Sequence, residues 1–126
     1  MSYLLVALGS ALGGVARHWL TAVVGARLPS AFPWGTVFVN TSGCFLIGVA
    51  VALFAPAGRW SSGQARDLVM VGLLGGYTTF SAFSLQTLQL LQQQEYALAM
   101  LNVGGSVLSC LLAVAIGYWL VSTHYS

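Results

Sequence analysis

The sequence predicts an all-α integral membrane protein with four transmembrane helices per subunit, the third of them broken, assembled as an antiparallel homodimer. Composition is the first reason: of 126 residues, 58% are hydrophobic and 5% charged, where a soluble domain carries about 25% charged residues. The second is the length of the apolar runs, four of which reach the ~20 residues that cross a bilayer as helix. The third is the placement of the charges. There is no lysine, and the six charged residues are Arg17, Arg27, Arg59, Arg66, Asp67 and Glu95.

The four spans run roughly over residues 3–24, 33–55, 67–91 and 96–121, so residues 1–126 form one transmembrane domain of spans and turns. The first run has no basic flank before it and continues through Arg17 as a full span, which reads as a retained helix and not a cleaved signal. Residues Arg27 to Trp34 join spans one and two, with Pro33 at a helix start and Trp34 at interface depth. Pro56 to Gln64 is the longest polar link, and Gln92-Gln93-Gln94-Glu95 makes a very short last turn. Such tight links predict an up-and-down bundle.

An excess of Lys and Arg in cytoplasmic loops normally sets topology. Here one face receives Arg59 and Arg66, and the other Arg27 with Arg17. With the bias close to nil, the chain is expected to insert both ways up and to pair about a twofold axis in the membrane plane. Gly9-x-x-x-Gly13 and Ser10-x-x-x-Gly14 in span one, Gly72-x-x-x-Gly76 in span three and Gly104-Gly105 in span four supply small surfaces for close helix contact.

Polar groups inside spans are costly in hydrocarbon unless satisfied. The densest set is Gly72-Leu73-Leu74-Gly75-Gly76-Tyr77-Thr78-Thr79-Phe80-Ser81-Ala82-Phe83-Ser84, where loosened backbone is tolerated only if buried in protein or facing a polar cavity. It is a candidate ion site. Asn40, after Thr36 and ahead of Thr41 and Ser42, can clamp a neighbouring helix or donate to an anion. Asn102, Ser106, Ser109 and Cys110 share one face of span four, at spacings of four, three and four. Arg17 snorkels to the interface beside His18 and Trp19 or attracts anions. Cys44 and Cys110 lie within spans with no partner at ligand spacing, so the reading is packing and not a disulfide or metal site. The near-neutral charge suggests no nucleic-acid partner.

Three motifs in order, Gly13-Gly14-Val15-Ala16-Arg17, Gly35-Thr36-Val37-Phe38-Val39-Asn40-Thr41-Ser42-Gly43, and Gly72-x-x-Gly75-Gly76-x-Thr78-Thr79-Phe80-Ser81-x-Phe83-Ser84, resemble the small fluoride-exporting channels called CrcB or Fluc. The resemblance covers essentially the whole chain. It implies fluoride selectivity, fluoride resistance, the cytoplasmic (inner) membrane of a prokaryote, an antiparallel homodimer with two fluoride pathways, and a structural sodium ion at the dimer centre. By the same resemblance, backbone carbonyls of Gly75 and Thr78 would hold the sodium. Phe80 and Phe83 would offer positive ring edges to fluoride, Asn40 would be the polar donor, and Ser81, Thr36 and Ser106 would supply hydroxyls. Arg17 would serve anion attraction or structure.

The chain departs from the family pattern at Ala82, where a threonine is usual, at Gln86, where many members carry glutamate, and at Asn102, where tyrosine is expected. Two other classes compete. A small multidrug-type proton-coupled exporter has similar length and topology but needs a glutamate in span one, which this chain lacks. A non-transporting membrane scaffold would tolerate apolar changes at Asn40 and Phe80. An enzyme is disfavoured because no acid, base and nucleophile set is present.

Overall fold

A computed structural model describes residues 1–55 and 62–125; most of the Pro56–Gln64 link, including Arg59, lies outside the described residues. The elements in order are α1 (Ser2–Arg27), α2 (Trp34–Leu53), α3 (Gly63–Arg66), a π-helical segment (Asp67–Leu74), α4 (Gly75–Tyr77), α5 (Phe80–Gln92) and α6 (Tyr96–Tyr125). Among the described residues there are helices and turns and no strands.

Three helical stretches are long and apolar enough to cross a membrane: Trp34–Leu53, Gly63–Gln92 and Tyr96–His124, with mean hydropathies of 1.9, 1.5 and 2.0. The chain is therefore a multi-pass membrane protein. At 26 residues, α1 extends about 39 Å at ~1.5 Å per residue, beyond a ~30 Å hydrocarbon core. It does not join the other three on hydropathy, because Ser2, Ser10, Arg17, His18, Thr21 and Arg27 dilute its apolar residues.

Turn chemistry sets the element ends. Pro33 directly precedes α2 and accepts from the Val37 amide at 3.1 Å. Between α5 and α6, Gln94 adopts φ 61° while the Glu95 amide reaches back to the Leu90 carbonyl at 2.8 Å. This is the left-handed closure that satisfies the last carbonyls of a helix. It lets α6 begin at Tyr96, as the glutamine-rich turn predicts.

Close backbone approach organises the bundle. A Cβ placed on Gly9 or Gly13 of α1 would fall onto the Leu68 or Leu73 carbonyl oxygen, and one on Gly76 would sit 2.7 Å from the Ser10 carbonyl oxygen. The two glycine motifs therefore face each other, and Ser10 Oγ adds a 3.4 Å hydrogen bond to the Gly72 carbonyl. A second seam joins α2 to α6, where Gly48 meets the Val114 carbonyl and Gly117 the Phe45 carbonyl. Neither glycine belongs to a motif evident in sequence. By contrast, Gly14 and Gly104 face open space, and Gly105 meets only Leu101 at 3.9 Å. Those three do not pack within the chain.

Gly13→Val and Gly117→Val are expected to lose most folded protein, since the obstacle is backbone and not a movable side chain. Gly104→Ala should stay within ~1 kcal/mol of the parent, on the stabilising side, because alanine is the better helix former. Thermal unfolding in detergent checks all three.

Candidate functional site: a capped break beside an aromatic groove

Thr78 and Thr79 are extended (φ −82°, ψ 156° and φ −150°, ψ 117°) between α4 and α5. In a continuous helix the Thr79 amide would bond the Gly75 carbonyl, and the Ala82 amide the Thr78 carbonyl. Both donors are diverted. Thr79 N–H donates to Asn40 Oδ1 at 2.8 Å, and Ala82 N–H donates to Thr79 Oγ1 at 3.1 Å, an N-cap for α5. The carbonyls of Gly75 and Thr78 are thereby released from the helical pattern.

Asn40 closes the clamp by donating from Nδ2 to the Thr79 carbonyl at 2.9 Å, so one side-chain amide takes both backbone groups of a buried residue. One Nδ2 hydrogen remains for another acceptor. The segment before the break is held by Thr78 Oγ1 donating to the Leu74 carbonyl at 3.1 Å and by a 2.8 Å hydroxyl contact between Tyr77 and Ser42.

A groove of about 360 Å³ opens beside the break, lined by Asn40, Thr78, Thr79, Phe80, Phe83 and Ser106, with Cys44 and Cys110 also on its wall. The rings of Phe80 and Phe83 are 5.4 Å apart and tilted by 44°. Phe80 is 78% exposed within the single chain. A large apolar ring at that exposure faces lipid or a second subunit.

Behind the groove runs a buried polar relay. Ser106 Oγ donates to Asn102 Oδ1 at 3.2 Å, Asn102 Nδ2 donates to Thr87 Oγ1 at 2.9 Å, and Thr87 Oγ1 donates to the Phe83 carbonyl at 2.8 Å. Asn102 is 1% exposed, which favours full pairing of its amide. The relay ties α6 to the turn that carries Phe83. Thr87 was not among the sequence candidates; its spacing of four from Phe83 within a mostly apolar run is the signal that could have found it.

A second cavity of about 420 Å³ lies toward the loop ends of α1, α2 and α5, bordered by Thr21, Thr36, Gln86, Gln89 and Gln93. Thr36 and Asn40 are one turn apart on α2, so the two cavities follow each other along that helix. Gln86 Oε1 is buried there without a hydrogen-bond donor among the described residues.

Of the sequence candidates, then, Asn40, Phe80, Phe83 and Ser106 share the groove. Thr36 borders the second cavity, and Ser81 is exposed beside the cap, its hydroxyl 3.2 Å from Thr79 Oγ1. Gly75 is exposed, and a Cβ there would meet only the Met70 carbonyl oxygen, at 3.7 Å. Arg17 is half-buried one turn beyond Gly13 and borders neither cavity.

The chain is 52% identical over 119 residues to a protein named fluoride-specific ion channel FluC from Methylocella silvestris, covering 94% of this chain and 91% of that one. Proteins of the same name from Paramagnetospirillum magneticum and Rhodospirillum rubrum are 47% and 46% identical, also over 94% of this chain and over 93% and 92% of theirs. A family model described as CrcB-like protein, Camphor Resistance (CrcB), matches residues 4–118. With nearly its whole length matched, and with the broken, capped segment falling inside the match, the chain belongs to the CrcB-like family.

Proposed function

We propose that the chain is a fluoride-selective channel of the cytoplasmic membrane of a prokaryote, exporting fluoride and so giving resistance to it. The observation that carries the reading is the groove. It joins two phenyl rings to one uncommitted amide hydrogen and a hydroxyl, in a chain about half identical to proteins named for fluoride conduction.

Fluoride is small and strongly hydrated, so a path must replace water with several donors, none strong enough to prevent exit. Phenyl rims carry positive quadrupole density and supply weak contacts of this kind. Asn40 contributes the Nδ2 hydrogen that Thr79 leaves free. Ser106 can donate only by turning its hydroxyl from Asn102 Oδ1, a single bond rotation. The glutamine-lined cavity offers Thr36 and three amides to a hydrated ion before it reaches the rings, and Ser81 lies beside the cap at the far side. Arg17, which borders neither cavity, either raises the local anion concentration through its field or serves as a structural anchor of α1. No step needs a chemical reaction, and the protein acts as a channel and not an enzyme.

In this reading α1 is the remaining one of four spans, the π segment, α4 and α5 form a broken third span, and two oppositely oriented copies pair through the exposed faces of Gly75 and Phe80. The carbonyls of Gly75 and Thr78, freed by the diverted donors, suit a hard cation such as sodium. When bound, that ion would supply a fixed positive charge that holds the two breaks together. Because a side chain at Gly75 fits the isolated chain, Gly75→Val is expected to fold yet lose dimer by at least tenfold on size-exclusion with light scattering. Parent-like dimer yield would remove the assembly from this face.

The direct test is efflux from liposomes containing purified protein, with fluoride and chloride run side by side. Fluoride release at least a hundredfold faster than chloride is expected; equal rates, or no release, would overturn the reading. A tag on the C-terminus should be accessible from both sides of the membrane in one preparation, and a single orientation would remove the antiparallel pair.

A further inference from the structure

Cys44 and Cys110 are far apart in sequence, yet the pairing of α2 with α6 brings them together. Cys44 lies one turn beyond Thr41 on α2, and Thr41 Oγ1 fixes the register against α6 by contacting Ser109 Oγ at 3.0 Å and Cys110 Sγ at 4.0 Å. Both thiols are unpaired by any disulfide, half-buried, and on the wall of the groove that holds Asn40, Phe80, Phe83 and Ser106. Two soft sulfur ligands that share an accessible cavity wall form a site of definite chemistry.

The number of ligands decides which ion it takes. No group of three or more His, Cys, Asp or Glu side chains is gathered among the described residues, so a tetrahedral ion such as zinc, which asks for four ligands or three and a water, is poorly served. A soft d10 ion that prefers thiolates and is content with two ligands is well served. Charge narrows the choice further. Replacing two thiol protons by a divalent ion leaves the site neutral, whereas a monovalent ion leaves it negative in a low-dielectric wall.

We propose that Cys44 and Cys110 form a two-thiolate site for a soft divalent d10 metal ion of the mercuric type, and that its occupation closes the groove to anions. On binding, two S–H bonds break, two metal–sulfur bonds form and two protons leave to solvent; no electrons are transferred. The bridge sits beside the phenyl rings and narrows the groove. The closing half of the proposal rests on the groove being the fluoride path, and the binding half does not.

The test uses purified parent protein, Cys44→Ala, Cys110→Ala and Cys44→Ser, with mercuric ion as the probe and zinc as the comparison. One mercuric ion per chain is expected, with a thiolate-to-metal charge-transfer absorption reversed by a dithiol. Losing either thiol removes the chelate, so affinity should fall on the order of 100-fold or more in every single variant. Efflux, scored against each variant's own unblocked rate, should be blocked in the parent at one equivalent and spared in the variants. Equal mercuric affinity in parent and single variants, or zinc binding as tightly as mercuric ion, would overturn the site. Bidentate binding without block would keep the site and count against the groove as the path.

Discussion

Asn40→Ala should abolish fluoride efflux and destabilise the fold together. The parent side chain takes both the amide and the carbonyl of Thr79, at 2.8 and 2.9 Å, and Thr79 is buried. Removing the amide strands two backbone groups at ~1–3 kcal/mol each, or roughly 2–6 kcal/mol in all. Thr79 N–H escapes its share of that cost only by returning toward the Gly75 carbonyl, which would heal the helix across the break and redirect the oxygens there. Asn40→Asp separates the two roles: it keeps an acceptor for Thr79 N–H, sets a carboxylate oxygen against the Thr79 carbonyl and adds negative charge to the groove. Its efflux is expected to fall by on the order of 10–100-fold, the equivalent of losing a hydrogen bond to a charged group, with a smaller loss of thermal stability than Asn40→Ala. Efflux and melting temperature measured on the same preparations check both, and parent-like efflux in Asn40→Asp would remove Asn40 from the path.

Phe83→Ile and Phe80→Ile are the second pair of large effects, and the two positions separate ring chemistry from packing. Phe80 is 78% exposed in the single chain while Phe83 is half-buried. If the rings are packing only, isoleucine at Phe83 costs about 1.5 kcal/mol or less after local adjustment, and isoleucine at Phe80 costs the monomer little. Efflux should then survive both. If ring edges meet the anion, an aliphatic side chain removes the positive rim and efflux should fall by more than tenfold in each, with dimer retained. Methionine in place of either phenylalanine is expected to recover part of the rate, because a thioether is adaptable and polarisable. Normal efflux in both isoleucine variants, with dimer intact, would leave the ring-edge role without support.

Much of the helical organisation was legible because its signals are local. Pro33 marks the start of α2, the glutamine run marks the turn before α6, and Gly9, Gly13, Gly72 and Gly76 announce a small-residue seam by their spacing alone. Gly14, Gly104 and Gly105, read the same way, meet little or nothing within the single chain. Gly48 and Gly117 escape such a reading, because an isolated glycine in an apolar run carries no spacing to notice. The candidate residues of the groove were legible as types, yet their partnerships were not. Asn40 and Thr79 are 39 positions apart, and no periodicity within either helix encodes that they meet. Cys44 and Cys110 show the same limit: ligand spacing is a rule for neighbours in sequence, and these two become neighbours only through the seam of α2 with α6. The π-helical winding of Asp67–Leu74 has no evident sequence signal.

The seam between α1 and the segment ahead of the break is built from main chain against main chain, with Gly13 on the Leu73 carbonyl and Gly76 on Ser10. Side-chain contacts relax as rotamers hop, on picosecond to nanosecond scales, and the groups they hold drift with them. A glycine has no rotamer. The carbonyls near Thr78 are thus indexed to a neighbouring helix through parts with no torsional freedom of their own. Heating, or exchanging lipids around the bundle, should blur the outer faces of α5 and α6 well before it blurs the break, and hydrogen exchange at the Tyr77 and Thr78 amides should be among the slowest in the chain.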